Sequence, residues 1–398
     1  MCYTIVHMKD LLADILTSPR NSFTVHGTSM LPLLHSGDRV SFRKLSYRDI
    51  KEDDLVLAQD KARFFVHRII YKTASYCITK GDNNRMPDGK IHPRKLIGKV
   101  SSVFRKNKSS SVESLSRLRH KTVLEEASAL TRLFESRNVR HAMIQGIPVY
   151  SYITKQAVRH VDAGVEIIAD SGRRAEIQKI MHICGYRQTN APHKEWGNRR
   201  IICYHKKTGT ITVQFTLYFN AVFPLETQDK YCTFLLHDLS RMLSYRLLEH
   251  SVKIKIAGRP FYLPDRDHMV IYLLLRFFYN NYHGAYLFRQ LGILLKKNAG
   301  DALPVSLNKK IKEYRLENYI GAVMKIIKGR QNILEICSET SLLRSQIYRL
   351  KNLLMISPRP WKEKIRVLLN PHIFFLPFRI LFRRMKRLPA AITDRKGG

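Results

Sequence analysis

The sequence predicts a multidomain chain: an all-β N-terminal module, then an α/β (α+β) module whose C-terminal part is mostly helical. At 398 residues the chain is too long for one ordinary core, so two or three domains are expected. Residues 22–105 are rich in Val, Ile, Phe and Tyr, broken by Gly-Asp and Asn-Asn turns, which is strand composition. From about residue 115 the apolar spacing becomes helical. The resulting boundaries are 1–103 for the β module, 104–114 for a linker, 115–300 for the mixed module and 301–398 for a basic helical extension.

In chain order, NSFTVHG, DRVSFRKL, DLVLAQ, ARFFVHRIIYKTASYCITKGD and LIGKVSSVFRK read as strands. FRKNKSSSVES is polar and serine-rich, which marks a linker. SLSRLRHKTVLEEASALTRLFESRNV repeats apolar residues at helical spacing, and HAMIQG follows it. Then come a helix-like SYITKQAVRH, a strand GVEIIAD, a helix RRAEIQKIMHICGY and a strand pair RRIICYHKKTG with TITVQFTLYFN. Beyond 230 the pattern is nearly all helical, and 268–297 is its most apolar part.

Lys and Arg number 69 against 32 acidic residues, a net charge of +37, so anionic partners must be considered. Arginines are spread over every segment without a recognition motif, which makes nucleic acid unlikely as a partner. The six cysteines (Cys2, Cys77, Cys184, Cys203, Cys232, Cys337) form no C-x-x-C pair, which suits a reducing, cytoplasmic compartment. No secretory signal stands at the N-terminus and no apolar run of about 18 residues occurs, so no spanning helix is expected.

The last stretch is the candidate for peripheral contact with the inner membrane face. Pro377 suits a helix start. Phe378, Leu381, Phe382 and Met385 then share one face, and Arg379, Arg383, Lys386 and Arg387 another. An anionic bilayer would supply an apolar boundary and about 1 kcal/mol per basic residue. Packing of the same apolar face on the helical domain is the competing reading. The sequence leaves oligomeric state open.

The chemistry-bearing stretches of the β module are GTSMLP (27–32), SGDRV (36–40), VHRII (66–70) and ITKGDNNRMPD (78–88), in that order. Together they resemble type I signal peptidases, in the Ser-His branch found in archaea and the endoplasmic reticulum. The resemblance covers about residues 22–102 and implies a β-barrel serine peptidase needing no cofactor. It makes Ser29 the nucleophile and His67, where the larger bacterial branch has lysine, the general base. A serine hydroxyl needs such a base, and imidazole titrates near working pH. Asp82 and Asp88 match the branch's two acidic positions, and one of them would orient the imidazole, with Asp88 favoured. The Ser29 N–H and the Thr28 hydroxyl would hold the oxyanion. The implied substrate is a peptide or protein with an extended leader segment. Taken singly, Asp82 and Asp88 are ordinary turn residues and Gly37 and Asp38 structural ones. A regulator that cuts its own 104–114 segment, or turns over nothing, is the rival reading.

Residues 118–300 resemble bacterial nucleotidyltransferase-like proteins of the polymerase-β superfamily, through NVRHAMIQGIPVYSYI, AVRHVDAGVEIIAD, CGYRQT and TVQFTLYF. That family holds Mg²⁺ on an Asp-x-Asp strand and a further acid, after a Lys-Gly turn and an arginine. Here those places hold Gln145 and Gly146, Arg159, then Gly164, Val165 and Glu166, and finally Gln214, with Asp162 shifted in spacing. One sure carboxylate makes a poor metal site. Loss of catalysis is therefore expected, with Mg²⁺ needed only if the domain is active on a protein or RNA.

Overall fold

The computed structural model describes residues 22–60, 63–84, 87–154, 164–189, 201–219, 230–279, 290–291, 293–295, 303–317, 320–321 and 323–324. Arg159, Asp162 and the basic tail from Phe378 to Arg387 lie outside these residues. The chain divides into two compact units, Met1–Pro224 with Leu239–Glu339, and Leu225–Asp238 with Thr340–Gly398. Among the described residues no helix is long and apolar enough to cross a membrane.

The N-terminal strands are β1 (Ser22–Thr24), β2 (Arg39–Arg43), β3 (Leu55–Asp60), β4 (Arg63–Lys72), β5 (Cys77–Lys80), β6 (Lys90–Ile91), β7 (Leu96–Arg105) and β8 (Lys108–Ser111). They form one antiparallel sheet in the order β1-β2-β7-β3-β4-β5-β6, with β8 paired to β7. The expected barrel is corrected here: among the described residues β1 and β6 are edges that do not pair with each other, so the sheet is open. Successive residues of a strand face opposite sides. Accordingly Leu55 and Leu57 enter a core with Phe23, Met30, Leu34, Val40 and Val66, while Val56 and Ala58 enter another with Ile50, Ile69, Cys77 and Ile91. Both faces of the central strands are thus buried.

The 104–114 segment is not a linker. Residues 102–105 of β7 pair with β8, Lys106 and Asn107 turn the chain with positive φ, and α1 (Val112–Ser136) starts directly afterwards. Ser111 caps α1 by accepting a 3.0 Å hydrogen bond from the Ser114 N–H. Serines that read as linker composition are strand and cap residues. A segment paired and helical in this way presents no free extended backbone for cleavage in cis.

The second sheet joins β9 (His141–Gln145), β10 (Val165–Ala169), β11 (Arg187–Gln188), β12 (Ile201–Thr208) and β13 (Ile211–Phe219) in the order β11-β12-β13-β10-β9. Its β10–β13 pair is parallel and the others antiparallel. Ile211, Val213, Phe215, Leu217 and Phe219 bury one face, while Thr212, Gln214 and Thr216 leave the other face polar and half-buried. Helices α2 (Ile147–Thr154) and α3 (Arg174–Ile183) complete the mixed region.

Beyond it lie α4 (Lys230–Glu249), β14 (Ser251–Ile256), β15 (Arg259–Pro264), α5 (Arg266–Tyr279) and α6 (Val305–Glu313). The hairpin corrects the nearly all-helical expectation. Val-Lys-Ile-Lys-Ile has a period of two, and Ala257 and Gly258 both take positive φ, as a tight hairpin turn requires.

Candidate functional site

Ser29 sits at the start of a compact turn between β1 and β2. Gly27 enters it with φ +86°, a left-handed conformation that favours glycine. The Leu31 N–H bonds to the Thr28 carbonyl at 3.2 Å and the Leu34 N–H to that of Met30 at 2.9 Å. Met30, Leu33 and Leu34 are buried and anchor the turn, while Ser29 stays half-buried and Thr28 exposed. Arg105 closes the turn's far end: its Nε and an Nη donate to the two Asp38 carboxylate oxygens at 2.8 and 2.6 Å, and that Nη also donates to the Leu33 carbonyl. Asp38 is therefore a structural residue.

A second loop clamps the Ser29 backbone. The Asn83 N–H donates to the Ser29 carbonyl at 2.7 Å, and the Asn83 side-chain amide to the Thr28 carbonyl at 3.1 Å. Gly81 comes so close that a Cβ there would lie 2.7 Å from the Ser29 carbonyl oxygen. Any side chain would push the loops apart.

Three segments meet over this turn. His67, on β4, is 7% exposed and places Nε2 3.1 Å from Ser29 Oγ. Its Nδ1 lies 2.6 Å from Asp88 Oδ2. An ionised carboxylate only accepts, so Nδ1 carries the proton, and Nε2 is left to accept from the serine hydroxyl. That is the tautomer a general base needs. Among the described residues the Ser29 N–H bonds to no acceptor, which leaves it open to an oxyanion. The exposed Thr28 adjoins it, with its carbonyl held by Asn83.

Asp82 does something else, which corrects its candidacy for the imidazole. Arg68 follows His67 on β4 and faces the opposite side, where Nε and an Nη donate to the two Asp82 oxygens at 3.0 Å each. Its other Nη donates to the Asp53 carbonyl at 2.7 Å. Both members of the ion pair are 2% exposed. Of the two acids, Asp88 reaches the histidine and Asp82 braces the strand beneath it.

In the second module β9, β10 and β13 bring Gly146, Gly164, Glu166 and Gln214 together. Gln145 pairs in register with Glu166. Gly146 has φ +105°, and a Cβ there would meet the Gly164 carbonyl oxygen at 2.7 Å. Gly164 lies against Gln214 in turn. Mg²⁺ prefers carboxylate oxygens and several waters in an octahedral shell. Both Glu166 oxygens are instead taken by Arg276 of α5, one Nη donating to Oε1 at 2.7 Å and the other to Oε2. Burial alone would lower the Arg276 pKa, but the Glu166 carboxylate more than offsets it and holds the guanidinium charged. Burial, then Glu166, push the Tyr218 phenol well above its ordinary value. The residues present do not fit Mg²⁺: the one carboxylate already has a cation.

A further cluster, His250, Asp265 and His268, lies at the start of α5. His268 uses both ring nitrogens, on Asp265 at 2.8 Å and on the Tyr314 hydroxyl at 2.8 Å, and Lys310 Nζ stands 3.3 Å from Asp265. The lysine supplies the positive charge there.

Arg276, Asn83 and Thr79, which donates to Asp88, were not singled out in the sequence. Asn83 and Thr79 stand inside ITKGDNN and could have been flagged by that position. Arg276 lies 110 residues from Glu166, and no local spacing announces the pair.

No protein-family model matches this chain, and no curated protein does. Two solved structures do. An antigenic nucleotidyltransferase-like protein from Paracoccidioides brasiliensis has 11% identity and a TM-score of 0.31, covering 52% of this chain and 93% of its own. The antibiotic-resistance factor ANT(2'')-Ia has 13% identity and a TM-score of 0.26, covering 55% and 97%. Neither name is that of a peptidase.

Proposed function

We propose that the protein is a serine endopeptidase in which Ser29, His67 and Asp88 act as nucleophile, general base and orienting acid on an extended peptide segment. The observation that carries this reading is the hydrogen-bonded chain Ser29–His67–Asp88, whose members come from segments 38 and 21 residues apart. A hydroxyl attacks a carbonyl carbon only as its proton leaves, and His67 Nε2 is placed to take it. The imidazolium so formed is stabilised by Asp88 through Nδ1. The tetrahedral oxygen receives the Ser29 N–H and, as the family resemblance implies, the Thr28 hydroxyl. His67 returns the proton to the leaving amine as the carbon–nitrogen bond breaks. Water attacks the acyl-enzyme in the second half by the same proton route.

The sequence motifs give the same assignment independently, and leader-like substrates with small residues before the cut are what the family resemblance implies. The mixed α/β module would recruit or position that substrate, and cleavage unchanged in a chain of residues 1–105 would count against that role. Cytoplasmic action, with the basic tail touching an anionic membrane face, belongs to the same proposal. The test is covalent labelling of the full chain with a fluorophosphonate, read by mass spectrometry of the peptide holding residue 29. Labelling elsewhere, or equal labelling of Ser29→Ala, would sink the assignment.

No metal-dependent transfer is proposed for the second module, because Arg276 occupies its carboxylate. Millimolar Mg²⁺ or Mn²⁺ is expected to leave the thermal midpoint of the full chain unchanged. A rise that Glu166→Gln removes would show a metal site after all and revive nucleotidyl transfer.

A further inference from the structure

A triad acid must keep one oxygen aimed at the imidazole, yet Asp88 stands in a loop after Pro87, outside any strand. Strand pairing therefore does not set its direction. We propose that Thr79 is the positioning residue that does so, holding Asp88 against His67 from two sides. This rests on the peptidase reading above.

Thr79 lies in β5 and is completely buried. Its hydroxyl donates to Asp88 Oδ2 at 2.7 Å, and its backbone carbonyl accepts the Asp88 N–H at 2.7 Å. The first contact fixes the carboxylate and the second fixes the loop that carries it. Oδ2 is the same oxygen that accepts from His67 Nδ1 at 2.6 Å. A carboxylate oxygen has two lone-pair directions, so these two donors use both. Turning the carboxylate would break both bonds together.

The two donors come from adjacent strands. β5 pairs with β4 with Thr79 opposite Ile69 and Lys80 opposite Arg68, so the sheet itself sets the distance between Thr79 and His67. The loop carboxylate is thereby referred to a rigid frame. A methyl in place of the hydroxyl keeps the volume and the backbone bond but removes one donor to the charged oxygen. Asp88 is then free to swing about its side-chain bonds, and the imidazole loses part of its orientation.

The experiment uses the full chain as wild type, Thr79→Val and Thr79→Ser, with kcat and KM measured on a cleaved extended peptide. The His67 Nδ1–H proton resonance is followed in parallel. Thr79→Val is expected to lower kcat by about 10- to 100-fold, the range spanned by one hydrogen bond to a charged group, with KM unchanged. Thr79→Ser should restore most of the rate, and the Nδ1–H resonance should move or be lost to exchange in Thr79→Val alone. Wild-type kcat with an unmoved resonance in Thr79→Val would overturn the proposal. So would a loss that Thr79→Ser fails to restore, because volume would then be the cause. If Thr79→Val does not fold, Thr79→Ala takes its place with the same readouts. The resonance is also read in a Ser29→Ala background, where turnover is not needed. Absence of cleavage by wild type rejects the peptidase reading, whereas an unmoved resonance rejects the role of Thr79.

Discussion

Ser29→Ala is expected to lower kcat by about 10⁶-fold with little change in KM, His67→Ala by about as much, and the double variant by no more than either. In the proposed mechanism nucleophile and base share one proton-coupled step, so removing either leaves the other with nothing to do. The 3.1 Å contact between Ser29 Oγ and His67 Nε2 is the geometry behind that non-additivity. Asp88→Asn should cost about 10⁴-fold. An amide in place of the carboxylate can present its NH₂ to Nδ1, which favours the tautomer with the proton on Nε2, where the serine then finds no acceptor. Single-turnover cleavage of one peptide by all four variants measures these effects. Equal rates for wild type and Ser29→Ala would remove the peptidase reading altogether. A full additive loss in the double variant would mean that the two residues act in separate steps.

The strands of the first module could be read in the sequence because their cues are local. Apolar-rich runs mark β2 and β3 at nearly their observed limits, whereas the single run 62–82 is two strands, β4 and β5, separated at residues 73–76. The residues that meet at the site were legible too, since Ser29, His67 and Asp88 fall in distinct short stretches. Which acid meets the histidine was not. Asp82 and Asp88 stand six residues apart, and their separation into a buried partner of Arg68 and a partner of His67 depends on the two faces of β4. The sequence shows that His67 and Arg68 face opposite sides, but not which side the loop wraps.

Closure of the sheet was misjudged for a related reason. Whether an edge strand finds a partner depends on twist and strand tilt summed over the whole sheet, which no single segment encodes. The serines of 109–111 and 114 misled through composition. Polarity marks solvent exposure, and exposed edge strands and helix caps share it with linkers. The hairpin β14–β15 was hidden between strongly helical neighbours, although its Ala-Gly turn and alternating lysines are visible in isolation. In the second sheet the missing acids were legible. The arginine that neutralises the remaining one was not, because the contact spans 110 residues.

Asp82→Ala should act on stability where Asp88→Asn acts on rate, although the two acids stand six residues apart. Removing the carboxylate takes from the Arg68 guanidinium, 2% exposed, the two hydrogen bonds that Asp82 accepts, while the one to the Asp53 carbonyl stays. Breaking a buried ion pair by removing one member costs about 3–5 kcal/mol, a large part of the stability of an ordinary domain. Replacing both members by apolar residues of similar volume should cost much less, since neither desolvated charge then remains. Asp88 is a quarter exposed on its side chain, so Asp88→Asn strands no charge and should unfold near the wild-type midpoint. Urea unfolding of the three variants separates these cases. The loss in Asp82→Ala should reach the site as well, because the Asp82 N–H contacts Met30 Sδ at 3.5 Å and its neighbours Gly81 and Asn83 seat the Ser29 carbonyl. Wild-type stability in Asp82→Ala would mean that Arg68 can reach water by moving its side chain. The brace beneath His67 would then lie elsewhere, in the packing of Ile69 on β4 with Val56 of β3 in one core cluster.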